Sequence, residues 1–371
     1  MMLDGVRIIE IEGLGPGPFA AMLLADLGAD VIVIHRKGGG VTPGMPERAI
    51  LDRGKRSIAL DLKSPDDVAT ALQLVASADG LIEGFRPGVM EKLGLGPEVC
   101  HQVNPALVFG RMTGWGQDGP LAHAAGHDLN YISLAGGAWY AGETGAQPMT
   151  PPTLVGDIGG GAMYLAVGML AAILKARATG KGTVVDAAIY DGTAHMMNLL
   201  MTLRQSGMFP TARGKGLLDG PHWSRTYRCA DGGFIGVQCL EPKFYAIFLD
   251  RLGLGDDPAF QDQFNRDTWP NLTDRLTGIF ATRSRDDWAA VFEGTDACVA
   301  PVLSPEEAMA HPLNAARSAW HEIDGTLQAA PAPRFSGQPA WSPPAIPHRG
   351  EHSDEIRAEL ANRANKEPSA I

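Results

Sequence analysis

The sequence predicts an α/β protein with a large domain on a Rossmann-like parallel sheet and a small α+β domain after it. Three observations carry this. The first fifty residues alternate apolar strand, Gly-rich turn, helix and strand, which is a β-α-β unit with a right-handed crossover. Strand and helix patterns keep alternating to about residue 206. After an aperiodic, turn-rich stretch at 213–223, a hairpin and short helices take over. At 371 residues the chain is long enough for two domains. The expected division is 1–195 with 320–371 as the large domain, 196–221 as a linker, and 222–319 as the small domain.

The elements follow in order. Val6 to Ile11 reads as a strand, Gly13-Leu14-Gly15-Pro16-Gly17-Pro18 as a turn, Phe19 to Leu27 as a helix capped by Gly28, and Asp30 to Ile34 as the second strand. A dinucleotide fingerprint is not met. Pro18 stands where its third Gly belongs, and basic His35-Arg36-Lys37 replaces the acid at the second strand's end. That basic end either suits a phosphorylated adenosine or is a plain solvated strand end. The loop 52–56 (Asp-Arg-Gly-Lys-Arg) leads into another strand, Ser64-Pro65-Asp66-Asp67 opens a helix to about Ser77, and strand 81–85 ends at Arg86. Ligands of open parallel sheets bind at the strands' carboxyl ends, so Arg36, the Lys55 loop and Arg86 could converge on an anion, unless that loop is a plain surface turn.

A strand at 107–112 precedes a turn-rich loop, and another at 184–188 precedes a helical pattern from Asp191 to about Ser206 carrying Met196, Met197 and Met201, with Met208 just beyond. Such a stripe is either core packing or a pliable surface for variable acyl groups. The hairpin pairs Thr226–Cys229 with Phe234–Cys239. Leu240-Glu241-Pro242 then opens a helix, with further helices at 271–282 and 285–293, a strand at 298–303 and a capped turn at Ser304. Pro-rich 330–347 reads as a surface strap, and the charged tail from Asp354 as a helix with fraying last residues.

Composition excludes several classes. With 31 basic and 42 acidic side chains the formal charge is −11, which argues against nucleic acid or an anionic membrane as partner. No basic segment leads an apolar stretch at the N-terminus, so a signal peptide is not expected and the cytoplasm is. The uncharged run ending at Leu174 is Gly-rich and fits a buried helix better than a membrane span. Four scattered cysteines show no metal-type spacing, so no metal is expected.

The candidate catalytic groups are His127 and Asp157. Asp157 is the only charge between residues 154 and 174, just ahead of a helical pattern. It is either a helix cap worth about 0.5–2 kcal/mol or a catalyst. A lone His before Asp is more often a plain loop residue. An imidazole and a carboxyl whose pKa values are pushed apart form an acid/base pair, so each gains meaning from the other.

The motifs, in their order and spacing, resemble the class III CoA-transferase superfamily (CaiB/BaiF type) and, within it, the α-methylacyl-CoA racemases. They run from the 13–18 turn through Arg53-Gly54-Lys55-Arg56-Ser57, Ala59-Leu60-Asp61-Leu62-Lys63, Phe85-Arg86-Pro87-Gly88, Gly126-His127-Asp128-Leu129-Asn130-Tyr131 and Tyr227-Arg228-Cys229 to Leu240-Glu241-Pro242-Lys243 and Pro333-Arg334-Phe335.

The resemblance implies that fold, an acyl-CoA thioester substrate, and inversion of its α-carbon by His127 and Asp157 acting on opposite faces. It implies an oxyanion donor in the Asp128 backbone N–H and a supporting Glu241 supplied by the second subunit of an interlocked homodimer. CoA would be held by Arg36, Ala59, Leu60, Asp61, Leu62, Lys63 and Arg86, together with Gly126, Leu129, Asn130 and Tyr131, and no cofactor is needed beyond the substrate's own CoA. The superfamily's transferases use the aspartate at the Asp157 position as a nucleophile, which is the alternative chemistry. A nucleotide-binding protein without turnover is a third reading. The chain departs from the racemases at Gly220-Pro221-His222-Trp223-Ser224-Arg225, where an aromatic pair and an acid are expected; an acid is lost and Arg225 gained, which bears on the acyl pocket or its mouth.

Overall fold

Residues 1–39, 46–338 and 340–366 are described by the structure, a computed structural model. The chain forms two compact units, one of Met1–Ala138, Thr150–Met196 and Ser318–Ile371, the other of Trp139–Met149 and Met197–Arg317.

The first unit runs β1 (Arg7–Ile11), α1 (Pro16–Asp26), β2 (Asp30–Arg36), β3 (Arg56–Leu60), α2 (Pro65–Ala76), β4 (Gly80–Glu83), short α3 (Val89–Lys92) and α4 (Pro97–Val103), β5 (Val108–Thr113) and α5 (Asp128–Leu134). A π-helical stretch, Leu154–Ala162, then continues into α6 (Met163–Thr179), β6 (Thr183–Ala188) and α7 (Ile189–Met196). In the second unit lie α8 (Asn198–Gln205), β7 (Ser224–Arg228), β8 (Phe234–Gln238), α9 (Pro242–Leu252), α10 (Trp269–Phe280), α11 (Arg285–Phe292), β9 (Val299–Val302), α12 (Pro305–Ala310) and α13 (Pro312–Arg317). A hairpin, β10 (Trp320–Ile323) with β11 (Thr326–Ala329), and α14 (Ser353–Lys366) return to the first.

Six parallel strands are ordered β3-β2-β1-β4-β5-β6. Strand order reverses between β1 and β4, which opens a crevice beyond their carboxyl ends. Both faces of the central strands β2, β1, β4 and β5 are covered, so these are apolar nearly throughout, whereas edge strand β6 is largely exposed over its first four residues. On one face Ile8, Val31, Ile82 and Val108 pack with Leu24 of α1 and Leu165 and Met169 of α6. On the other, Ile9, Ile32, Ile58, Leu81 and Phe109 meet Leu74 of α2 and Ile356 of α14. Alternation along β1 thus sends Ile8 and Ile9 into different cores. The run Leu154–Thr179 is long and apolar enough to cross a membrane by composition alone, yet Leu165, Ala166, Met169, Ile173 and Ala176 are buried against the sheet.

In the second unit β7, β8 and β9 form an antiparallel sheet with β8 in the centre, where Tyr227, Ile235 and Val237 pack on Phe248, Leu276, Phe280 and Trp288.

Several elements differ from the sequence reading. Helix α1 begins at Pro16, inside the Gly-rich turn, because proline is well suited to a helix's first positions. The pattern expected from Asp191 to 206 is two helices broken at Met197. The β10-β11 hairpin was not anticipated. The strap at 330–347 carries no helix or strand among its described residues; there the Ala345 carbonyl accepts the Gly54 N–H, and Arg48 donates to Ile346. The tail is helical from Ser353, and its last residues, 367–371, lie outside the described ones.

Candidate active site

The crevice at the β1/β4 reversal is framed by two loops. After β1, Gly15 adopts a left-handed backbone (φ 66°) that favours glycine, and a Cβ there would stand 3.5 Å from Asp157 Oδ2. After β4, buried Glu83 fixes the loop carrying Arg86. Its Oε2 accepts the Phe85 N–H (2.7 Å), and its Oε1 accepts Arg111 Nε (3.0 Å).

His127 is the N-cap of α5, and its backbone N–H donates to the Asn130 side-chain oxygen at 3.0 Å. Tyr131, one position further, donates its hydroxyl to the Gly126 carbonyl and meets Trp115 edge-on at 4.7 Å between ring centres. The segment is therefore held by its own downstream residues, while the His127 imidazole is exposed.

Asp157 lies within the π-helical stretch, so it is not the cap of α6, which starts at Met163. Ile158 N–H donates to the carbonyl of Thr153, five residues back. The widened turn presents the Asp157 N–H to Asp128 Oδ1 at 2.8 Å. Gly156 permits this approach, because a Cβ there would collide with Asp128 Oδ1 and Ile132.

Burial raises the Asp157 carboxyl to about 6, the Asp128 carboxylate adds to the rise, and His127 opposes it. Tyr131 is also raised, by burial and then by the Asp157 charge, with Arg86 opposing. These five side chains share one electrostatic environment. A half-desolvated carboxyl near 6 can give or take a proton at neutral pH, which a free aspartic acid does poorly.

The other expected site residues fall in two places. Arg36 and Arg86 are exposed at the carboxyl ends of β2 and β4, and neither is in an ion pair among the described residues. Ala59 and Leu60 close β3 beside His35 and Arg36, and Asp61, Leu62 and Lys63 form the turn beyond, with Asp61 N–H held by Asp67 at 2.9 Å. Leu129 and Asn130 are exposed on α5. Glu241 belongs to the second unit, where it is the exposed N-cap of α9.

One expected contributor is excluded. Lys55 points inward, its Nζ 2.5 Å from buried Glu10 and 3.2 Å from the Pro18 carbonyl, and Arg53 is buried against Asp26 at 2.6 Å. The charge of Arg53 and Lys55 serves the fold, whereas Arg36 and Arg86 are exposed. Met196 and Met201 are exposed rather than core, and the Met196 thioether faces Gly159, two residues beyond Asp157. Arg225 pairs with Glu143 at 2.7 Å within the second unit. The sequence reading missed the side chain of Asp128 and the need for Gly156. The only available signal was a Gly-Asp pair inside an uncharged helical run.

Among the described residues no cluster of three or more His, Cys, Asp or Glu is placed to hold a metal. The first unit is thus a parallel α/β unit that brings Asp157, Asp128 and His127 together and leaves Arg36 and Arg86 exposed at strand carboxyl ends. The chain belongs to CoA-transferase family III, which it matches over residues 3–353. It is 40% identical over 363 residues to the α-methylacyl-CoA racemase of Mus musculus, covering 97% of this chain and 93% of that one. Against the α-methylacyl-CoA racemase of Homo sapiens it is 39% identical over 364 residues, covering 97% and 94%. The crystal structure of a CAIB/BAIF family protein from Brucella suis superposes with a TM-score of 0.81 at 27% identity, covering 96% of this chain and 98% of that one.

Proposed function

We propose that this chain is a racemase or epimerase that inverts the α-carbon of 2-methyl-branched acyl-CoA thioesters. The observation that carries the reading is the Asp157 carboxyl, raised to about 6 and within the electrostatic reach of His127. One of the pair removes the α-proton, and the electron pair moves onto the thioester carbonyl oxygen to give an enolate. The other group returns a proton to the opposite face, and the roles exchange with direction. The Asp128 N–H, in the first turn of α5, has no partner within its helix and is the donor assigned to the enolate oxygen.

Arg36 and Arg86 take the CoA phosphates, with Ala59 to Lys63 along the adenosine and Gly126, Leu129, Asn130 and Tyr131 along the thiol arm. The substrate's CoA is the only carrier required. Exposed Met196, facing Gly159, suits a variable acyl chain, as in branched fatty acid or sterol side-chain degradation.

The assembly we assign is an interlocked homodimer in which Glu241 of the second subunit supports His127. The apolar outer face of α6, with Met163, Val167 and Leu174 exposed at one-turn and two-turn spacing, is suited to burial by a second chain. Four free thiols agree with a reducing cytoplasm.

The test is incubation with a (2S)-methylacyl-CoA in D2O. Deuterium at the α-carbon and formation of the 2R epimer are expected, and His127→Ala and Asp157→Ala should each abolish inversion while CoA still binds. An acyl-enzyme at Asp157 cleaved by hydroxylamine, without α-exchange, would replace this reading by CoA transfer.

A further inference from the structure

We propose that the Asp128 side chain is a positioning residue for Asp157, fixing its carboxyl through the backbone N–H and setting a negative charge against it. The inference rests on the two-base reading above. It concerns the side chain, whereas the oxyanion role concerns the Asp128 backbone.

Three observations combine. Asp128 is 9% exposed although it occupies the first residue of a helix, a place where acids are ordinarily solvated. Its Oδ1 accepts the Asp157 N–H at 2.8 Å, across 29 residues of sequence. The chain makes room for it with a glycine, since a side chain at 156 would displace that oxygen.

Other groups around Asp157 are few among the described residues. Helix α5 presents Asp128, His127 and Tyr131, Arg86 acts on Tyr131 from the loop after β4, and the α1 side offers the uncharged backbone of Gly15. Asp128 is therefore the nearby negative charge that opposes ionisation of Asp157. A negative charge placed this way favours the protonated form of Asp157.

Two substitutions separate position from charge. Asp128→Asn keeps an acceptor oxygen and removes the charge, and Asp128→Ala removes both. In 13C-aspartate spectra, with the Asp157 carboxyl assigned from Asp157→Asn, the Asp157 midpoint should fall by about one pH unit in Asp128→Asn. The bell-shaped pH profile of kcat/KM for α-deuterium exchange should move the same way. Asp128→Ala should lose at least about tenfold more kcat than Asp128→Asn, with KM within about twofold, because only the alanine frees the Asp157 backbone. A midpoint that stays put in folded Asp128→Asn overturns the proposal, whatever the exchange rate. A midpoint that falls in a protein whose unaltered form exchanges no α-proton leaves the pairing in place and removes the racemase reading instead.

Discussion

Lys55 Nζ stands 2.5 Å from Glu10 Oε2, and both side chains are closed off from solvent. The same ammonium donates to the Pro18 carbonyl and lies 3.5 Å from Asp52, so one cation holds β1, the loop before β3 and the first turn of α1. Removing it strands a buried carboxyl. Lys55→Met is expected to destabilise the protein by about 3–5 kcal/mol, and Lys55→Met with Glu10→Leu to recover most of that. Urea unfolding of the three proteins measures it; a double variant no more stable than the single one refutes the assignment.

The two units should respond to pH with opposite sign. Desolvation raises Glu10 from 4.5 to about 7, so the fold favours its protonated form. Its contribution is complete below 4.5 and is lost as pH rises through about 7. In the second unit burial lowers His222 from 6.5 to about 3, so the fold favours its neutral form, and that contribution is lost as pH falls from 6.5 toward 3. Melting from pH 4 to 8 should show Glu10→Gln gaining on the unaltered protein as pH rises and His222→Phe gaining as pH falls. Parallel curves would contradict both.

Arg213 forks onto three carbonyls, those of Ala141, Ala146 and Glu143, and Trp139 donates to Thr211 at 2.7 Å. Arg213→Ala should raise amide exchange across 139–149 by roughly tenfold or more, the equivalent of one or two charged hydrogen bonds. Arg213→Lys should recover little, since an ammonium cannot fork over the same set. Unchanged exchange in this segment would show that the clamp is not what orders it.

Gly156→Ala places a methyl group against Asp128 Oδ1 and Ile132. The expected cost is about 1–3 kcal/mol of stability, with at least a tenfold loss of α-proton exchange as Asp157 shifts. Gly255→Ala, where no atom lies within reach of an added Cβ, is the control and should change neither.

Much of this was legible in the chain. Apolar runs such as Ile8-Ile9 and Val31-Ile32-Val33 foretold strands buried on both faces, and Asp157 stood out as the only charge between residues 154 and 174. The fate of Arg53 and Lys55 was not legible, because their partners Asp26 and Glu10 are far off in sequence and nothing local distinguishes an inward lysine from a solvated one. The π-helical turn was hidden for a different reason. Its glycines weigh against any helix by propensity, and packing of the finished fold overrides that weight.

The segment Trp139–Met149 lies between the histidine and the aspartate in sequence yet belongs to the second unit. Neither unit is therefore a cassette that a single pair of cuts could excise. A chimera that imports 197–317 from a relative parts those residues from the neighbours of their own unit unless it imports the eleven residues 139–149 as well.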